Sequence, residues 1–122
     1  MKSLHSAVAA LCVALLSPAH ATGDAASGQK QYEARCTGCH SVEEDRIGPA
    51  HRGVFGRKAG ARAGFGYSNA LKNSAVVWDE KTLDAWLTDP EKLIPGQAMY
   101  FQVSDAPARG DIVAFLRTLR AP

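Results

Sequence analysis

Residues 41–67 show neither the 3.6-residue period of an amphipathic helix nor the alternation of a strand, and Gly48-Pro49, Gly53, Gly56, Gly60, Gly64 and Gly66 punctuate them throughout. A structureless stretch of that length inside a small domain needs something to wrap around. The whole chain has 122 residues, eleven of them glycine and six proline, so it forms one domain with much loop. A domain of this size buries only about 60 to 70% of its unfolded surface. Side chains alone are therefore poorly placed to fill its interior, and a further group is expected to supply part of the core.

The N-terminal segment reads as an address. Lys2 gives a positive start, residues 7–16 are an unbroken apolar run, and Ala19-His20-Ala21 offers small residues at the spacing of a cleavage site. As a helix that run would reach only about 15 Å, half the hydrocarbon thickness of a bilayer, so it is too short to span. The expectation is a cleaved signal peptide at 1–21, a mature domain at 22–122, export to the periplasm and no stable membrane anchor. Cys12 lies inside the apolar run and would be lost on cleavage. Met99 would then be the only methionine, His40 and His51 the only histidines, and thirteen basic residues would face twelve acidic ones. With no basic arm or acidic tail, nucleic acid is excluded as a partner.

Three helices are expected in an all-α domain. Asp24 caps one running to about residue 35. Asp79 caps a second, in which Leu83, Trp86 and Leu87 fall at i, i+3 and i+4 before Asp89-Pro90 ends it. Pro107 stands in the first turn of the third, where Ile112, Phe115, Leu116 and Leu119 share a face. Residues 68–73 allow one short helix, residues 91–103 read as loop with a Pro95-Gly96 turn, and no strand pattern is present.

Cys36-Thr37-Gly38-Cys39-His40 carries the chemistry, because C-x-x-C-H is the attachment pattern of c-type haem. Two thiols at this spacing suit the two vinyl groups of one porphyrin, and the adjacent imidazole then reaches the iron. A thioredoxin-like thiol pair, half of a zinc site and a structural disulfide are the alternatives. The chain lacks the second cysteine pair of a zinc site and the βαβ pattern of a thioredoxin. Histidine on one face of the iron leaves one axial position, and Met99, 59 residues after His40 in a polar loop flanked by Pro95-Gly96, is the candidate for it. A thioether there raises the reduction potential. His51 is the rival, but eleven residues from His40 along the Gly-Pro loop it is expected on the same side as His40, as an ordinary surface or hydrogen-bonding histidine.

These residues together resemble a class I c-type cytochrome, of the group that includes mitochondrial cytochrome c and its bacterial periplasmic counterparts. The likeness covers most of residues 28–119: Gly28 and Tyr32 before the C-x-x-C-H, then Gly48-Pro49, Gly53-Val54-Phe55-Gly56-Arg57, Gly64-Phe65-Gly66-Tyr67-Ser68, Trp78, Thr82-Leu83, Asp89-Pro90, Ile94-Pro95-Gly96, Met99 with Phe101, and Asp111-Ile112-Val113-Ala114-Phe115-Leu116. The resemblance implies the cytochrome c fold, with three main helices, short helices and long loops around one haem held by Cys36 and Cys39. It further implies His40 and Met99 as the iron ligands, and a Pro49 carbonyl that accepts the His40 proton. Tyr67 and Trp78 would donate to a haem propionate whose charge Arg57 offsets, and Gly28 and Tyr32 would meet Ile112 and Phe115 where the first and last helices cross.

The implied activity is single-electron transfer by a soluble monomer, not enzymatic catalysis. Its partners would be a cytochrome bc complex, a terminal oxidase, a photosynthetic reaction centre or a periplasmic dehydrogenase. The alternative is a haem enzyme or gas-binding protein in which Met99 leaves the iron, although the Met99 loop offers no evident acid–base partner. Departures from the mitochondrial pattern are specific: Leu71 stands where a pocket asparagine is usual, Trp86 for a tyrosine on the Met99 side, Gln97 for a threonine and Ala98 for a lysine. Arg35 and Lys92 keep basic charge round the expected haem edge while Glu91 and Ala98 lose it, which implies a partner less acidic than the mitochondrial oxidase.

Overall fold

A computed structural model describes residues 23–122; the expected signal segment at 1–21, Cys12 and the expected cleavage point lie outside the described residues. Helix α1 (Ala25–Arg35) begins where the Asp24 carboxylate accepts the Ser27 N–H at 2.9 Å, and the Asp24 N–H donates to Asp111 Oδ1 at 2.8 Å. One residue thus caps a helix and ties it to the last one. Helix α2 (Asn69–Lys72) is a single turn capped by Ser68. Helix α3 (Glu80–Thr88) opens on a capping box in which the Asp79 side chain accepts the Thr82 N–H and the Thr82 hydroxyl accepts the Asp79 N–H.

The stretch expected to be loop after α3 begins instead with a further short helix, α4 (Pro90–Leu93). Asp89 closes α3 and its carboxylate then accepts the Lys92 N–H, while Pro90 occupies the first helical position, where the missing N–H costs nothing. Helix α5 (Ala106–Thr118) is capped by Asp105 and carries Pro107 in its first turn; Leu119 lies just past its end and is buried. Three main helices and two short ones make the all-α fold, and the described residues contain no strand, only an isolated antiparallel bridge between Lys58 and Val77.

Helix α1 packs on α5, and α3 packs on α4 and α5. At the α1–α5 crossing a Cβ added to Gly28 would lie 1.8 Å from the Asp111 carbonyl oxygen, so only glycine allows the two backbones this approach. Beside it the Tyr32 and Phe115 rings sit with centroids 5.1 Å apart, over fully buried Ile112. Arg109 pins α5 to α3 through Asp84 at 2.8 Å and holds the incoming loop by donating to the carbonyls of Val103 and Ser104. The long loop 41–67 folds over the remaining face, and between it and the helices lies a cavity of about 450 Å³.

Candidate functional site

Cys36 caps the C-terminus of α1, with its N–H donating to the Tyr32 carbonyl; the Cys39 and His40 N–H groups both return to the Cys36 carbonyl. The tight turn after α1 sets both thiols and the imidazole on one wall of the cavity. Both cysteines are free thiols. Burial, reinforced by neighbouring Cys39 and opposed by Arg35, pushes the Cys36 thiol up to about 11. That is opposite to the depressed value a nucleophilic redox thiol needs. No group of three or more metal-binding His, Cys, Asp or Glu side chains exists among the described residues, so a zinc site has no donor set there.

His40 is buried, and its Nδ1 lies 2.8 Å from the Pro49 carbonyl oxygen. A carbonyl only accepts, so Nδ1 carries the proton and the lone pair open to a metal is on Nε2. Burial moves the His40 pKa downward, against the Pro49 bond, which keeps the ring neutral as a ligand requires. Gly48 makes this position achievable: a Cβ there would fall 2.2 Å from His40 Cε1.

Of the two expectations for His51, the hydrogen-bonding histidine holds and the surface one does not. Its ring stacks on His40 with centroids 4.0 Å apart, and its Nδ1 shares a hydrogen bond with the Tyr32 hydroxyl at 2.9 Å. It stands on the His40 side, as its short chain separation suggests. Desolvation first, then the adjacent His40 and Arg57, hold it well below the ordinary histidine value, so it is a neutral packing partner.

The cavity's other walls hold the remaining expected residues. Arg57 donates to the carbonyls of Arg52 and Ala50, at 3.2 Å each, and stays partly buried beside the cavity. The Tyr67 hydroxyl accepts the Arg62 N–H, and the Arg62 side chain reaches Asp45 Oδ1 at 2.6 Å. Trp78 and Trp86 lie with ring centroids 5.2 Å apart on the α3 side. Met99 is half-buried, and its N–H donates to the Oε1 of Gln97, a residue only 2% exposed. Cys36, Cys39, His40, Pro49, Arg57, Tyr67, Trp78, Trp86 and Met99 therefore line one cavity. Buried Leu71 also lines it, while exposed Asn69 does not, so no amide replaces the usual asparagine.

A haem fits these residues on the chemistry of the donor set. The cavity is mostly apolar-lined, it lies in the size range of cofactor sites, and two free thiols, a neutral imidazole and a thioether face the same space. Sequence reasoning missed two hydrogen bonds at the site. The Tyr32 hydroxyl and His51 ring behind His40 are side chains from α1 and the loop, 19 residues apart, and only the folded chain joins them. Gln97 stood out as a substitution, but its bond to Met99 depends on a turn of the backbone that composition does not reveal.

The cytochrome c family model matches residues 25–120. Cytochrome c2 of Rhodomicrobium vannielii is 38% identical over 122 residues, covering 97% of each chain. Cytochrome c of Euglena viridis is 42% identical over 101 residues, 80% of this chain and 99% of that one. Among solved structures, cytochrome cH from Methylobacterium extorquens superposes with a TM-score of 0.75 at 44% identity, over 79% of this chain and 99% of its own. The site and fold define a small haem-binding electron carrier. The chain belongs to the cytochrome c family, whose members carry covalent haem c, and it is an electron-transfer protein and not an enzyme.

Proposed function

We propose that this chain is exported through residues 1–21 and works in the periplasm as domain 22–122, holding one haem through Cys36 and Cys39 with His40 and Met99 as axial ligands. The observation that carries the reading is the convergence of both thiols, the Pro49-oriented imidazole and Met99 on one cavity, although Met99 follows His40 by 59 residues. When bound, the haem supplies the iron that alternates between the ferric and ferrous states. The chain's own contributions are positional. Pro49 fixes the His40 ring and raises its donor strength. Met99 contributes a soft sulfur that favours the reduced metal. Leu71, Leu83, Leu87, Trp78 and Trp86 keep water from the cavity, while Arg57, Tyr67 and Trp78 offer charge and N–H or O–H groups to a propionate.

Exposed Ile47 and Tyr100, 79% and 85% accessible, flank the cavity mouth with Arg35 and Cys39. This rim is the surface offered to redox partners. With Arg35 the one charged group among these four, it suits a partner recognised by apolar contact more than by acidic steering: a cytochrome bc complex, an oxidase, a reaction centre or a periplasmic dehydrogenase. Among the described residues no helix is long and apolar enough to cross a membrane.

The test is to express the full chain in a bacterium that matures covalent haem, and to fractionate it. The expected product is periplasmic, lacks residues 1–21 by mass and keeps its haem through denaturation. The Cys36→Ala/Cys39→Ala variant should carry no covalent haem. Haem that is extracted by denaturing solvent from the wild-type protein would overturn the attachment.

A further inference from the structure

Glu91 stands on the short helix α4, exposed, where its two carboxylate oxygens divide between two acts. Oε1 accepts the Gly96 N–H at 2.9 Å, and Oε2 accepts from Gln97 Nε2 at 3.2 Å. The other end of the same Gln97 amide, Oε1, accepts the Met99 N–H. Gln97 is 2% exposed, and its backbone N–H is spent on the Ile94 carbonyl. The chain of contacts therefore runs from a carboxylate on a helix, through one buried amide, to the backbone of Met99. It crosses the Pro95-Gly96 turn twice, with Gly96 at φ 86°, so the turn is braced at both its N–H and its exit.

We infer that Glu91 and Gln97 are positioning residues that hold Met99 against the iron, a clamp in which the Gln97 amide fixes the Met99 backbone and the Glu91 carboxylate fixes the amide and the turn. The inference rests on Met99 being the axial ligand. A loop ligand is bound only while its loop keeps its place, and an external ligand reaches the iron in proportion to the fraction of time the loop is displaced. Without the clamp the Met99 N–H of the half-buried loop loses its acceptor, and the turn loses its brace. Because these bonds lie at an exposed carboxylate and are replaced in part by water, their combined loss weakens the closed loop enough to raise the displaced fraction about three- to tenfold.

The experiment is a titration of the ferric, haem-loaded protein with imidazole, followed in the visible spectrum, with urea unfolding as a separate readout. Glu91→Ala is the primary variant, because an exposed residue can be truncated without threatening the fold. The half-saturating imidazole concentration should fall about three- to tenfold, with Glu91→Gln intermediate because it keeps an acceptor for Gly96. Gln97→Leu should fall further. Lys30→Ala, exposed on α1 and outside the clamp, should match the wild type. An unchanged half-point in Glu91→Ala, or an equal fall in Lys30→Ala, overturns the clamp. Absence of a methionine–iron band in the wild-type spectrum overturns the ligand assignment itself, and with it the clamp, so the two failures are distinguished.

Discussion

Two glycines in helices should respond to alanine with opposite signs. At Gly28 the added Cβ would meet backbone atoms of α5, at 1.8 Å from the Asp111 oxygen and 2.5 Å from its carbon, with Phe115 Cβ at 3.0 Å. Ordinary contact begins at 3.4 Å, so α1 and α5 must separate by more than 1 Å along the seam that buries Tyr32, Ile112 and Phe115. Overpacking of this kind costs up to about 3 kcal/mol. The better helix propensity of alanine returns about 1 kcal/mol, leaving a net loss of about 2 kcal/mol. In a domain of this size that lowers Tm by about 8–16 °C. At Gly110, inside α5, a Cβ meets nothing within 4 Å and φ is not positive, so only the propensity gain acts. Gly110→Ala should therefore stabilise by about 0.5–1 kcal/mol. Thermal and guanidinium unfolding of the haem-loaded proteins, followed by far-ultraviolet circular dichroism, measures both. A neutral or stabilising Gly28→Ala would refute the close crossing.

Gly48→Ala places a methyl 2.2 Å from His40 Cε1, against a ring already held between the Pro49 carbonyl and His51; the expected result is a weakened iron bond, seen as partial high-spin haem in the optical spectrum. The Asp45 carboxylate is held below the ordinary range, first by the Ala50 N–H and then by Arg62, so its contribution is present above the ordinary aspartate value and is lost as pH falls through the lowered one. Stability measured by urea should thus decline below about pH 4, and Asp45→Asn should flatten that limb. Arg109→Leu removes the Asp84 ion pair and leaves the Val103 carbonyl without its donor, with a loss of about 2 kcal/mol expected in the same unfolding assay.

The three main helices were legible because their signals are local. Asp24 and Asp79 each cap within one turn, and the apolar face of α5 repeats at helical spacing. Cys36, Cys39 and His40 were legible because five consecutive residues carry the chemistry. Helix α4 was missed because Asp89-Pro90 reads as a stop, while the same pair is a good N-cap and first residue for a new helix. The stack of His51 on His40 and the Gln97 bond to Met99 depend on where the loops close in space, and neither has a periodicity to betray it. The resemblance to class I cytochromes supplied the propionate roles of Tyr67, Trp78 and Arg57.

The most direct measurement is the far-red absorption band that reports methionine sulfur on ferric low-spin haem, recorded for the wild-type protein and for Met99→Ala. Ligation by Met99 predicts the band in the wild type and its loss in Met99→Ala with covalent haem retained. A wild type without the band, or a Met99→Ala variant that keeps it, would contradict ligation by Met99.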